Sequence, residues 1–331
     1  MVLFCTSCAQ VPAISTHPWE VIPLPTESDL ADIAFTGNPN RGWLVGSNST
    51  LLETQDGGQT WQSRTLDLGE RNYRFNSVSF SGQEGWIAGQ PLLLLHTEDG
   101  GDSWSRIPLN EKLPGDPNLV VALDLGSVEM ATNVGAIYQS SNGGKTWKAM
   151  VQQAVGVVRN ISRANDGQYV TVSANGSFYS TWKPGQDAWQ PHNRNSSRRI
   201  QNMGFGTNHR LWMLARGGQL QFSTPDGLSS SEDSDEDSEQ ESWEKPTYPQ
   251  PRAGWGLLDL AYRTSEELWI TGGSGELLCS VDGGQTWQQD RDVEDVPANL
   301  YKVLFLDADR GFVLGQRGTL LKYSNSATES V

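Results

Sequence analysis

The chain has 331 residues, only 36% of them hydrophobic, while glycine (35) and tryptophan (13) are abundant. This fits many short strands joined by turns and filled by large aromatics; long apolar faces of helical period are absent, so almost no helix is expected. The net charge of -15 argues against general nucleic-acid binding, no membrane-spanning apolar run follows the N-terminus, and the three cysteines (Cys5, Cys8, Cys279) form neither a disulfide framework nor a zinc spacing.

The chain opens on Val2-Leu3-Phe4 and Cys5-Thr6-Ser7-Cys8. Small residues before a cysteine read as the end of a lipoprotein signal, with Cys8 as the lipidated residue. The box is imperfect, because Cys5 stands where leucine is usual; two cysteines in an unstructured tail is the alternative. Residues 1–18 are expected to be a tail and linker.

A repeat then governs the sequence. Thr54 to Trp61 reads TQDGGQTW and returns as TEDGGDSW (97–104), SSNGGKTW (140–147) and SVDGGQTW (280–287), with worn copies ending at Trp189 and Trp243. Trp19, Trp61, Trp104, Trp147, Trp189, Trp243 and Trp287 are spaced by 42, 43, 43, 42, 54 and 44 residues. Trp19 lacks a preceding turn, and residues 300–323 have three strand-like runs without a closing tryptophan. The two defects complement each other if Trp19–Leu24 supplies the fourth strand of the last unit. The expected fold is an all-β, seven-bladed propeller over residues 19–323, with four antiparallel strands per blade and a tail at 324–331. The 54-residue spacing contains an acidic, serine-rich insertion, 228–242, which cannot bury apolar area and is expected to be a disordered loop.

The repeated turn resembles the Asp-box. The carboxylates of Asp56, Asp99 and Asp282, and the amide oxygen of Asn142, are suited to accept hydrogen bonds from turn amides; the glycines serve positive φ, and Trp61, Trp104, Trp147 and Trp287 are suited to pack between blades. These roles are structural, since a turn repeated around a ring cannot mark one place.

Decoration falls elsewhere. Residues 151–220 carry eight Arg or Lys against two acids, a local excess of about +6 within an acidic chain. Aligning the units puts Arg159 and Arg163 on the inner strand of blade four. Arg194, Arg198 and Arg199 fall in the loop entering blade five, and Arg216 in that blade's second hairpin turn. Those loops and turns emerge on one face of a propeller, so Arg198, Arg199 and Arg216 are expected beside the channel mouth with Arg159 nearby. Arginine there suits carboxylate capture or interface pairing. Catalysis has weak support. Ser105-Arg106-Ile107-Pro108 imitates an early sialidase element in the wrong strand context, and Asp124 and Asp259 are single inner-strand acids where glycosidases need a pair. The four histidines are scattered, with no metal spacing.

The four turns, the seven-unit count, the arginine-rich fourth and fifth units and the opening His17-Pro18-Trp19-Glu20 after a lipoprotein-like cysteine together resemble the photosystem II stability and assembly factor family of cyanobacteria and plastids. The resemblance spans nearly 310 residues. It implies a non-catalytic, chaperone-like monomer without a cofactor, at the lumenal side of the thylakoid membrane, peripheral or held by a lipid. The implied partners are newly made D1 reaction-centre protein, its precursor with a C-terminal extension, and D1–D2 assembly intermediates. It also implies that Arg159, Arg163, Arg194, Arg198, Arg199 and Arg216 contact D1. An Asp-box glycoside hydrolase, secreted, and a receptor-like peptide-binding propeller are the alternatives.

Overall fold

The computed structural model describes residues 11–15, 17–194, 196–224, 243–249, 256–293 and 296–324. Cys5, Cys8, the insertion 228–242 and residues 325–331 lie outside that set. Seven antiparallel sheets form the blades of a propeller. Their inner strands are Leu30–Phe35, Arg74–Ser81, Pro117–Asp124, Val158–Arg163, Ile200–Phe205, Leu257–Tyr262 and Leu300–Phe305. Second strands such as Gly42–Gly46, Leu211–Ala215, Leu268–Gly272 and Gly311–Gly315 are buried along their whole length. A blade is covered by a neighbour on both sides, so these strands read as continuous apolar runs instead of alternating ones. Blade five has three regular strands; Trp243 and Thr247 cover its outer edge through bridges to Ser223 and Leu220. A single 3-10 turn, Thr207–His209, is the only helical element among the described residues.

The ring closes as the complementary defects require. Trp19–Ile22 pairs with Leu320–Tyr323 in register Trp19 to Tyr323 and Ile22 to Leu320. The Trp19 ring meets Trp269 of blade six and Tyr323 of blade seven edge-on, at 5.3 Å each.

Backbone hydrogen bonds define two faces. On one, each well-formed Asp-box is tied to its blade's first hairpin: Gly57 N–H donates to Asn40 O, Gly100 to Gln83 O, Gly143 to Gly126 O and Gly283 to Glu266 O. We call this the box face. On the other, the loop face, the second hairpin is tied to the strand or loop entering the blade: Ser47 N–H to Asp29 O, Ala174 to Val157 O, Arg216 to Arg199 O and Gln316 to Asn299 O.

Within a box the chemistry is local. Asp56 Oδ1 accepts the N–H groups of Gln59 and Thr60 at 2.9 Å each, and the Thr54 hydroxyl accepts Gly58 N–H at 2.9 Å. The second glycine has positive φ and touches the preceding blade. A Cβ on Gly58 would lie 2.9 Å from Phe312, one on Gly101 2.3 Å from Trp43, and one on Gly144 3.1 Å from Trp86. The box tryptophan leans the same way, with Trp104 5.7 Å from Trp43 and Trp147 6.5 Å from Trp86. A turn that holds one blade thus packs against the blade before it.

Every inner strand carries a β-bulge near its loop-face end, with Ala31, Asn76, Asn118, Arg159, Gln201, Leu258 and Tyr301 as the extra residues. The residue after each bulge forms a belt around a central channel whose cavity is about 580 Å³. Lys302 Nζ reaches Asp32 at 2.6 Å, Ser77 Oγ donates to Asp32 at 3.0 Å, and Asp259 accepts Asn202 Nδ2 and Val303 N–H at 3.0 Å each. These bonds cross from blade to blade.

Two opposite pH dependences follow. Slight burial works against the Asp56 charge, but the Thr60 hydroxyl and turn amides outweigh it and hold the carboxyl at about 2; Thr286 chiefly does the same for Asp282, also at about 2. An unfolded aspartate titrates near ~4, so this stabilisation is complete above about pH 4 and is lost as pH falls through about 2. Burial pushes Asp259 up to about 6. The folded state therefore keeps a proton that the unfolded chain releases, and stability declines as pH rises from about 4 to about 6. Urea midpoints measured across pH 2–7 should show both slopes. The double variant Asp56→Asn/Asp282→Asn should make the acid limb shallower, leaving the part due to Asp99, whose box holds its carboxyl low in the same way; Asn142 shows that an amide fits the turn. Asp259→Asn should remove the decline between about pH 4 and pH 6; a decline that survives it would belong to another group.

Candidate functional site

The loop face of blades four and five gathers unpaired positive charge. The outer strand of blade four, Gln190–Asn193, ends directly before Arg194, and the inner strand of blade five begins at Ile200, so Arg194, Arg198 and Arg199 occupy the joining loop. Ser196 Oγ accepts Arg198 N–H at 3.2 Å, which folds the loop back on itself. Arg194 Nη1 donates to Arg198 O at 3.0 Å, and Arg198 Nη1 donates to Arg216 O at 3.3 Å. Gly217 makes room for this, because a Cβ there would lie 2.6 Å from Arg198 Nη1. The Arg198 guanidinium also lies over the Tyr248 ring, 5.4 Å from its centre. Arg159 belongs to the same face. As the bulged residue of its strand it reaches Gln201 Oε1, from the next blade's bulge, at 3.0 Å, and Ala174 O at 3.1 Å.

Among the described residues, none of Arg159, Arg194, Arg198, Arg199 and Arg216 has a carboxylate within ion-pair distance. The guanidinium groups of Arg159, Arg194 and Arg198 bond carbonyl and amide oxygens, which orient them without neutralising them. Burial lowers the pKa of Arg194, and no acid offsets it. Two apolar side chains are exposed alongside, Val157 at 65% and Tyr248 at 42%. The surface thus offers fixed N–H donors and positive charge beside an aliphatic and an aromatic contact, which suits an extended segment bearing carboxylates and apolar side chains.

Arg163 departs from this group. It ends the inner strand whose second residue is Arg159, so it lies at the box face, where its Nε donates to Glu129 Oε2 at 2.6 Å beside the Tyr169 hydroxyl, which donates to the same oxygen at 3.0 Å. Burial opposes its charge, and the bond to Glu129 outweighs that and raises its pKa. The other box-face arginines are likewise paired: Arg41 with Glu53 and Asp102, Arg210 with Glu244, Arg263 with Glu267, and Arg310 with Asp307. Of the six arginines, five thus lie at the loop face, and Arg163 lies at the box face, where its partner comes from blade three.

Other singled-out residues sit apart. Arg106 is in the outer strand of blade two, bonded to the Tyr73 hydroxyl and Leu92 O. Asp124 ends an inner strand at the box face and is exposed, while Asp259 is held in the channel belt. Cys279 is buried and its thiol is pushed up to about 12, chiefly by burial. Sequence reasoning missed Gln201, Val157, Tyr248 and Gly217. Only the bulge register, visible once the seven inner strands are aligned, could have singled out Gln201.

A family profile described as the photosynthesis system II assembly factor YCF48 matches residues 11–324. A photosystem II assembly lipoprotein Ycf48 from Trichormus variabilis is 60% identical over 330 residues, covering 100% of this chain and 94% of its own. The photosystem II assembly protein Ycf48 of Thermosynechococcus vestitus is 57% identical, covering 98% of this chain and 89% of its own. A solved structure of YCF48 bound to a D1 peptide superposes with TM-score 0.88 at 55% identity, over 95% of this chain and 99% of that one. YCF48 from Cyanidioschyzon merolae gives 0.81 at 41% identity, over 93% and 98%. This chain belongs to the Ycf48 family of photosystem II assembly factors, a non-catalytic role built on a seven-bladed propeller.

Proposed function

We propose that this protein binds newly made D1, including its precursor, and assists D1–D2 assembly and the repair of photosystem II through the loop face of blades four and five. The observation that carries the reading is a set of five arginines, Arg159, Arg194, Arg198, Arg199 and Arg216, with no carboxylate partner among the described residues; the guanidinium groups of three of them, Arg159, Arg194 and Arg198, are held by carbonyl and amide oxygens. A relative's structure with a D1 peptide supports the partner. Arg163 is left out of the surface, because Glu129 already holds it.

The same reading has the chain at the lumenal side of the thylakoid membrane, attached by a lipid on Cys8. The lipoprotein name of relatives supports the anchor. Val11 O accepts Arg291 Nη2 at the rim of blade six, 3.2 Å away. Three residue steps from there reach Cys8, so an acylated Cys8 would keep that rim within about 10 Å of the bilayer surface.

Charge reversal tests the surface. Arg198→Glu/Arg199→Glu should weaken binding of a D1-derived peptide by at least about ten-fold, with an unchanged circular-dichroism spectrum and melting temperature, and the wild-type affinity should fall with added salt. Undiminished binding by a correctly folded variant would overturn the reading. Arg163→Met provides the contrast. It should leave peptide affinity unaltered while costing about 3 kcal/mol of stability in urea denaturation, because Glu129 is left buried without its cation.

A further inference from the structure

The chain's beginning and blade six meet at a cluster that the assembly role does not use. The N-terminal segment lies along that blade's outer strand, Gln288–Gln289: Gln289 N–H donates to Pro12 O at 2.7 Å, and Ile14 N–H to Gln289 O at 3.0 Å. Beyond this pairing, His17 Nδ1 lies 2.8 Å from both Oδ1 and Oδ2 of Asp290 and 3.9 Å from Asp292 Oδ2. One donor atom from each of the three side chains lies within 4.8 Å of the other two. Asp290 is only 1% exposed at its side chain and Asp292 is 69% exposed.

We propose that His17, Asp290 and Asp292 bind a divalent first-row metal ion of the zinc class, which fastens the ring-closing segment to blade six. An imidazole nitrogen carries at most one hydrogen, and here two carboxylate oxygens lie 2.8 Å from it, with a third at 3.9 Å. The Asp290 oxygens approach symmetrically, an arrangement that one directional N–H satisfies poorly and a cation satisfies fully. One imidazole with two carboxylates is a donor set zinc accepts. Bonds of about 2.0–2.2 Å put neighbouring ligand atoms about 3 Å apart. His17 and Asp290 are already there, and the exposed Asp292 side chain needs to close by about 1 Å. Its exposure leaves a solvent side for ion entry and water ligands. Residues 17 and 290 are 273 positions apart, and Trp19 begins the closing strand two residues after His17. Binding would therefore be linked to ring closure, as metal binding across a folded junction is linked to folding.

Zinc chloride titrated into the chelator-treated full-length chain tests the site. One ion per chain by calorimetry and a higher melting temperature are expected. Asp292→Asn and His17→Gln should each weaken zinc binding by at least about ten-fold, and Asp292→Asn should keep the wild-type melting temperature in chelator. Absence of binding would leave His17–Asp290 as a hydrogen bond alone and overturn the proposal. Zinc binding retained by both variants would overturn it as well, by assigning the ion to another site such as the acidic stretch 232–244.

Discussion

Everything in this fold depends on four residue pairs between the chain's two ends. Until Trp19–Ile22 lies against Leu320–Tyr323, blade seven has an open edge and blade one lacks a fixed neighbour on one side. Closure buries Trp19 and Ile22 almost completely. Burying an aromatic of this kind contributes on the order of 2–3 kcal/mol, before the entropy of ordering the segment is counted. Its larger effect is geometric. Seven blades held in a circle fix where each inner strand starts, and so bring the seven bulges into one ring at the channel mouth. Arg159 and Gln201 meet only because two successive blades carry the same bulge at the same height.

Closure also separates the faces, and the arginines sort by face. At the box face, short hairpins and box turns bring acids and arginines together within a blade, as in Arg263 with Glu267 and Arg310 with Asp307, or across one junction, as in Arg163 with Glu129. Half-buried or buried charges require such partners, since an isolated one is expensive. At the loop face of blades four and five the guanidinium groups of Arg159, Arg194 and Arg198 are steered by carbonyl and amide oxygens instead of carboxylates. They retain full charge and a restricted set of orientations. A surface of that kind has already met part of the ordering cost of capturing an anionic segment, which favours binding without adding contacts.

The repeat made most of the fold legible. Tryptophan spacing gave the number of blades, and the missing turn before Trp19 with the missing tryptophan after Trp287 gave the closure. The arginine face was half legible. Composition of 151–220 marked the arc where the arginines without acidic partners gather, but composition runs along the chain and a face runs across it. Arg159 and Arg163 sit four positions apart on a strand that spans the ring's thickness, so they emerge at opposite ends. Tyr248 was hidden for another reason, because the insertion before it breaks the spacing that would have aligned blade five. Asp32, Lys302 and Asp259 form their belt through residues up to 270 positions apart. No local pattern carries that information.

The worn boxes of blades four and five acquire a sharper physical meaning from these contacts. Blade four replaces the Asp-box with a different tie, in which Trp182 Nε1 donates to Gln186 O at 2.9 Å and Trp189 Nε1 donates into blade three at Gly135 O, 2.8 Å away. Blade five keeps Trp243 against Tyr179 of blade four, with ring centres 5.9 Å apart. The contact between blades that the box provides is thus conserved in function while its sequence is not. The boxes and the five arginines lie on opposite faces, so a degraded box does not itself build the arginine surface. What the two share is the connection after the outer strand. A blade whose last strand is no longer set by a box can vary in how that strand ends, and in blade four it runs through Gln190–Asn193 directly into the loop of Arg194, Arg198 and Arg199. Relaxing the turn on one face leaves the loop on the other less constrained in its path.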